Sequence, residues 1–334
     1  MDSPLPPDFE DTDSLVDHEV DIEQVILALI LLTERGYSGR LPQVYGAISS
    51  QLPEIRRTGF RLSTGDARRF RDLLNGLDGV TRDIARDLSD RAVRNIRLIA
   101  REDARFWARR NGVPVPSAAD VRASLAERRY LGRTLAEDAT RLQQAVRNII
   151  RDAVSEGVSA GETLDQVIAR LRGTRANGFR DGANRRIRRA LRQFITTGAD
   201  HATSVARELV GREVFRGSRP YATHVSVLDS RTSHICLPLA GRVYRALRDV
   251  RWPPLHPNCR SRIWIGNGVV PQGVTGQEWL SRQTEARQIE ILGPTRAALF
   301  RAGDLTVDQL IDPQTLRPLT LREIRRRRQN RRGA

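Results

Sequence analysis

Cys236 and Cys259 are the only thiols in the 334-residue chain. His256 opens the tetrapeptide His256-Pro257-Asn258-Cys259. Thiolate and imidazole are ligands that suit zinc, and His-x-x-Cys lets two of them reach one ion from a single turn. Cys236 supplies a third. The place where a zinc ribbon would hold its other cysteine, in Ser233-x-x-Cys236, carries a hydroxyl, so His234, His224, Asp229 or water would have to complete a tetrahedron. Other chemistries use the same residues. A disulfide is disfavoured in a chain that shows no export signal and is expected in a reducing cytosol. A cysteine nucleophile with His256 as base, or a nuclease-like metal site with His256 and Asn258, lacks the supporting elbow, oxyanion loop or acids. Structural roles are therefore favoured over catalysis. In the plainest one, Pro253, Pro254 and Pro257 fix an extended loop and the thiols pack as small apolar groups.

The elements that must position these residues are short. Thr223, Val225 and Val227 alternate with Ala222, His224 and Ser226, which predicts a strand over 221–228. Arg242-Val243-Tyr244 and Arg262-Ile263-Trp264-Ile265 predict two more, with Asp229-Ser230, Gly241 and the proline pairs as turns. A mini-domain over 216–270 is too small for a large core and needs a clip.

The rest reads as helix. Residues 1–20 look extended, a short apolar helix runs from about Asp21 to Glu34 and stops at Gly36, and Ser63-Thr64-Gly65-Asp66 starts the next. Leu142, Val146, Ile149 and Ala153 mark one helical face. Thr163-Leu164-Asp165-Gln166 is a capping box, stopped by Gly173. A longer helix begins near Asn184. Towards the C-terminus, Trp279 to Leu292 fit one helix before Gly293-Pro294, with short turns at 296–300 and 305–311. The fold expected is mainly α with a small α+β mini-domain: an extended helical region, a short antiparallel β hairpin domain, then C-terminal helices. The segments are 1–62, 63–215, 216–270 and 271–334.

All 56 basic residues are arginine and the formal charge is +16. Codon usage in a GC-rich genome accounts for missing lysine but not for the net sign. Residues 1–34 hold ten acids and no arginine. Arg185, Arg186, Arg188, Arg189 and Arg192 crowd the start of a helix, against its macrodipole. Arg325, Arg326, Arg327, Arg328, Arg331 and Arg332 close the chain. Both clusters suit phosphate, though each is also an ordinary solvated face. Val25 to Leu32 is the strongest apolar run; as a helix it is about 12 Å long against a bilayer core of roughly 30 Å. No membrane association is expected.

Val227-Leu228-Asp229-Ser230-Arg231-Thr232, Cys236, Gly241-Arg242-Val243-Tyr244 and Pro253-Pro254-Leu255-His256-Pro257-Asn258-Cys259-Arg260 together resemble the Mu F-like phage head morphogenesis family, the minor capsid proteins. The matching residues are Asp229, Arg231, Thr232, Cys236, Gly241, Pro254, His256, Pro257, Asn258, Cys259 and Arg260. Trp279-Leu280, Ile291 to Arg296, Arg301, Gly303 and Leu319 to Leu321 extend the likeness, which covers about 150 to 325. Many relatives carry Cys-x-x-Cys where this chain has Ser233-x-x-Cys236. The resemblance implies a virion component without enzymatic activity, inside the head near the portal vertex and in host cytoplasm during assembly. Its implied partners are the portal protein, sequence-independent double-stranded DNA, and a major capsid or scaffold protein, in packaging or ejection. The Cys236, His256, Cys259 and His234 set would hold a zinc clip. The alternative is a metal-dependent nuclease or peptidase using His256 and the cysteines.

Overall fold

A computed structural model describes residues 11–55, 57–58, 61–271 and 273–332. Pro4, Pro6, Pro7 and Asp8 to Glu10 lie outside these residues, as do the side chains of Arg328, Arg331 and Arg332. The described chain is mainly helical, with a small antiparallel sheet and C-terminal helices. No described helix is long and apolar enough to cross a membrane. Contacts divide the chain into two compact units: residues 1–18, 100–124 and 200–334 form one, and 19–99 with 125–199 the other.

Helix α1 runs Asp11–Gln51, straight through Gly36 and Pro42. The extended start expected over residues 1–20 is overturned for 11–20, and the stop at Gly36 is overturned too. Tyr37, Val44 and Ile48 continue a buried stripe beyond Gly36. A proline inside a helix costs about 3 kcal/mol, whereas burying each large apolar side chain returns about 1.5–3 kcal/mol. Packing therefore wins over local propensity. Gly36 is used for closeness, since a Cβ there would stand 3.3 Å from Leu88 Cδ2.

Strands β1 (Arg57–Thr58) and β2 (Arg61–Leu62) form a tiny hairpin. Helix α2, Thr64–Arg110, begins as expected: Ser63 Oγ accepts the Asp66 N–H at 3.1 Å. Helices α3 (Ala118–Glu127), α4 (Leu135–Ala160), α5 (Leu164–Arg172) and α6 (Ala183–Val214) follow. Thr134 with Glu137 and Thr163 with Gln166 make reciprocal capping boxes. On α4, Leu142, Val146 and Ala153 are buried with Ile150 and Val154, while Ile149 is half-buried. Within this second unit Tyr37 donates to Asn184 Oδ1 at 2.6 Å, and Arg151 pairs with Asp78 at 2.5 Å.

The first unit carries the sheet. β3 (Pro220–Ser226) lies between β4 (Val243–Tyr244) and β5 (Ser261–Asn267), all antiparallel. Helices α7 (Gly276–Ser281), α8 (Glu285–Leu292), α9 (Pro294–Arg301) and α10 (Leu321–Arg332) complete it. The single helix expected over 279–292 is two helices, because Thr284 Oγ1 accepts the Arg287 N–H and starts α8 afresh. Residues 307–310 form a 3-10 turn. Leu237, Leu280, Ile291, Leu292, Leu310 and Ile324 share one apolar cluster.

Beneath the sheet sits a buried ion pair. Arg207 on α6 donates Nε and Nη2 to Asp103 of α2 at 2.9 and 2.8 Å, and Nη1 to the Ile263 carbonyl of β5 at 3.1 Å. Both side chains are 0% exposed. The guanidinium lies 4.9 Å from the Trp107 ring, and His18 Nε2 meets Asp103 Oδ1 at 2.9 Å. Burial alone would raise the Asp103 pKa, but Arg207 and His18 outweigh it and hold the carboxyl below its ordinary range. Arg262 and Asp200 form a second buried pair at 2.9 Å.

Leaving one member of such a pair uncompensated costs about 3–5 kcal/mol. Arg207→Met is expected to lose that much at neutral pH in denaturant titration. Because the folded Asp103 pKa is depressed, the pair's contribution is complete above the ordinary carboxylate pKa and is lost progressively as pH falls from there through the depressed folded value. The gap between wild type and variant should therefore narrow in acid. A gap constant down to pH about 3 would contradict the assignment.

Candidate metal centre and arginine clusters

After β3 the chain makes a self-bonded turn. Asp229 Oδ1 accepts the Arg231 N–H at 2.8 Å, and the Thr232 hydroxyl accepts the Asp229 N–H at 2.7 Å while donating to the Val227 carbonyl at 2.9 Å. Asp-x-Arg-Thr thus closes on itself, as short polar side chains do in turns. Ser233 then caps the next turn, accepting the Cys236 N–H at 3.0 Å. Gly241, at φ 78°, turns the chain into β4 and sits where a Cβ would come 3.0 Å from Thr275 Cγ2.

The His-Pro-Asn-Cys turn is equally determined. Pro257 fills the second position, Asn258 takes φ 55° in the third, and the Cys259 N–H donates to the His256 carbonyl at 3.2 Å. Proline followed by asparagine at positive φ is the pattern of a type II turn. It brings His256 and Cys259 to one side. Pro254 is buried, its bond to Pro253 cis. Arg260, the next residue after Cys259, reaches back in a two-pronged fork to Asp229, at 2.8 and 2.7 Å. The two sequence motifs meet here.

Cys236 Sγ, His256 Nε2 and Cys259 Sγ all lie within 4.8 Å of one another and can hold a metal ion. The sulfurs are 3.7 Å apart with no disulfide between them, and Nε2 stands 3.1 Å from Cys236 Sγ. His256 Nδ1 lies 2.9 Å from the Pro257 carbonyl. A proton on Nδ1 satisfies that carbonyl and leaves the Nε2 lone pair for the sulfurs, the arrangement metal-binding histidines use. Ser233 Oγ stands 2.8 Å from the same Nε2.

The thiols titrate as a pair. The hydrogen bond with Cys259 pulls Cys236 down to about 7, against the effect of burial. The same bond, with burial, pushes Cys259 up to about 12. His256 is raised, first by its interaction with Cys259. One thiolate forms readily; the second needs a cation to replace its proton.

The other candidate ligands go elsewhere. His234 Nε2 bonds the Ile291 carbonyl at 2.8 Å. Asp229 is committed to Arg260. His224 is fully buried on β3, and burial pulls its pKa down to about 3. Sequence reasoning missed the Asp103–Arg207 pair, whose members are 104 residues apart and carry no local signal.

Arg185, Arg186, Arg188, Arg189 and Arg192 are exposed along the first turns of α6. They line a concave surface that Glu34, Glu156 and Asp181 share. The C-terminal arginines lie on α10, where Arg327 pairs with Asp312 at 2.5 Å and Arg325 and Arg326 are exposed. Compared with family models, curated proteins and solved structures, the chain matches none.

The Arg260 fork holds the Asp229 carboxyl down, to about 2. Its contribution is therefore complete above the ordinary carboxylate pKa and is lost as pH falls through about 2. Asp229→Asn is expected to lower the melting temperature by a constant amount from pH 5 to 7, and by progressively less below pH about 4. A deficit that grows in acid would contradict the fork.

Proposed function

We propose that this protein is a minor head component of a tailed phage or related particle, docked at the portal vertex and in contact with packaged DNA. The observation that carries the reading is the corner in which Asp229, Arg260, Cys236, His256 and Cys259 converge. These residues belong to the two motifs that resemble the Mu F-like family, and their convergence supports one joint task. That task is structural. In the described residues no carboxylate belongs to the three-ligand group, and Asp200, whose charge reaches it, is paired with Arg262. Zinc suits the site: with Zn–S bonds of about 2.3 Å, a tetrahedron places two sulfurs about 3.8 Å apart, close to the 3.7 Å found. When bound, the ion would supply a crosslink between the two motifs.

The remaining surface fits assembly. Val20, Leu27 and Leu31 follow one face of α1 at helical spacing and are about half exposed, at 47, 52 and 46%. The same stretch of sequence, residues 1–34, holds ten acids and no arginine. An apolar stripe on a helix is the usual means of lying in a groove of another protein, here the portal or a major capsid or scaffold protein. Arginines on α6 and α10 supply contacts for DNA phosphates without reading sequence.

One observation favours a second reading. Three protein ligands with an open fourth corner are also the pattern of catalytic zinc, which would make the protein a metal-dependent nuclease or peptidase. Co-expression with the portal decides between them. The full chain is expected to co-purify with portal oligomers, and Leu27→Glu with Leu31→Glu to abolish this while the melting temperature is unchanged. Nuclease or peptidase activity lost in His256→Ala, with no portal association, would favour the enzyme.

A further inference from the structure

An aromatic ring stands beside the α6 arginines, in the loop between α5 and α6. Phe179 is 47% exposed and has φ 59°, a conformation that a bulky residue adopts only when its surroundings impose it. The loop imposes it. Asp181 accepts from Thr174 N at 2.7 Å, Thr174 Oγ1 at 2.6 Å and Asn177 Nδ2 at 2.8 Å, and Phe179 N donates to the Thr174 carbonyl at 2.8 Å. A loop so fully bonded displays the phenyl ring instead of burying it. The Arg172 guanidinium lies 5.4 Å from the ring centroid.

Phe179 lines a cavity of about 620 Å³, and Arg186, Arg189 and Arg192 line a neighbouring one of about 960 Å³. Arg180, Arg185 and Arg188 border both. The carboxylates present are already engaged: Glu34 with Arg192 at 3.1 Å, Glu156 with Arg170 at 3.2 Å, and Asp181 within its loop. Among the described residues, the side chains of Arg180, Arg186 and Arg189 have no hydrogen-bond or ion-pair partner. The first turn of α6 carries no acid either. Positive charge has been gathered into a concavity at the helix end that repels it, so the surplus calls for an anion from outside.

We propose that this cleft binds an unpaired nucleic-acid strand, with Arg180, Arg186 and Arg189 on successive phosphates and Phe179 as the platform for a base. Guanidinium forks fit phosphate oxygens. An exposed ring stacks on any base, but only where the base face is free. A duplex hides those faces and would gain nothing from Phe179. Two adjoining cavities that share their arginines suit a run of nucleotides better than one free nucleotide. The inference deepens the nucleic-acid part of the proposed function and rests on it.

The test is fluorescence anisotropy of the full chain with a labelled oligo-dT strand of about 20 nucleotides, long enough for one binding groove. A duplex of equal length and thymidine triphosphate serve as competitors, across a salt series. The strand is expected to bind at least ten-fold tighter than the duplex and to resist the triphosphate. Replacing Arg180, Arg186 and Arg189 by Gln should weaken strand binding ten-fold or more and lower the salt slope by about 2, since each phosphate contact on a single strand contributes about 0.7. Phe179→Asn, which tolerates the left-handed backbone, and Phe179→Leu, which keeps apolar bulk, should each weaken strand binding at least five-fold and leave duplex binding within two-fold. Equal affinity for strand and duplex, or strand binding indifferent to both Phe179 variants, would overturn this inference while leaving the DNA reading intact. Failure to bind either nucleic acid would remove both.

Discussion

The mini-domain depends on closing a long excursion of chain between β3 and β5. Asp229 and Arg260 are separated by 31 residues, and bringing two such points together costs about 3 kcal/mol of chain entropy. The fork between them cannot meet that alone, because a partly exposed ion pair contributes about 0–1 kcal/mol. Two other interactions act with it. The antiparallel register of β3 and β5 runs from Pro220↔Asn267 to Ser226↔Ser261. Cys236 and Cys259 are buried. A bound cation would outweigh both, since structural zinc contributes about 10–16 kcal/mol of apparent binding energy. The fork is better understood as what sets the geometry: it places Cys259, beside Arg260, at the right distance from Cys236.

The arginines divide into groups by what surrounds them. Arg207 and Arg262 are buried and spent on Asp103 and Asp200, where they tie helices to the sheet. Arg260 and Arg327 hold turns. Those of early α6 are exposed and outnumber the carboxylates beside them. This last group has charge to spare for a partner, as do the exposed Arg325 and Arg326 of α10. A net charge of +16 therefore overstates the interaction surface and conceals its location.

Much of the corner was legible in the sequence because its signals are local. His256-Pro257-Asn258-Cys259 encodes its own turn, Thr163 and Gln166 their own cap, and the alternation before Ser226 its own strand. What escaped is settled by distant contacts. Gly36 reads as a stop, yet α1 continues through it and Pro42 because Tyr37, Val44 and Ile48 find a core to enter. Trp279-Leu280 and Ile289 with Leu292 read as one helix, which hides the fresh start at Thr284. Asp103 and Arg207 look like two more surface charges until α2 and α6 are brought together. Phe179 carries no local signal in the sequence, and its loop turns it outward. His234 is as near to Cys236 in sequence as a ligand should be, but its imidazole bonds the Ile291 carbonyl instead.

The central claim is that the two cysteine-bearing motifs form one metal-clipped corner. X-ray absorption at the zinc edge, on full-length protein purified without chelator, tests it most directly. The expected result is close to one zinc per chain in a shell of two sulfurs, one imidazole nitrogen and one oxygen, reduced to a single sulfur in Cys236→Ser. Protein that is fully folded and free of metal, or zinc whose shell is unchanged in that variant, would contradict it.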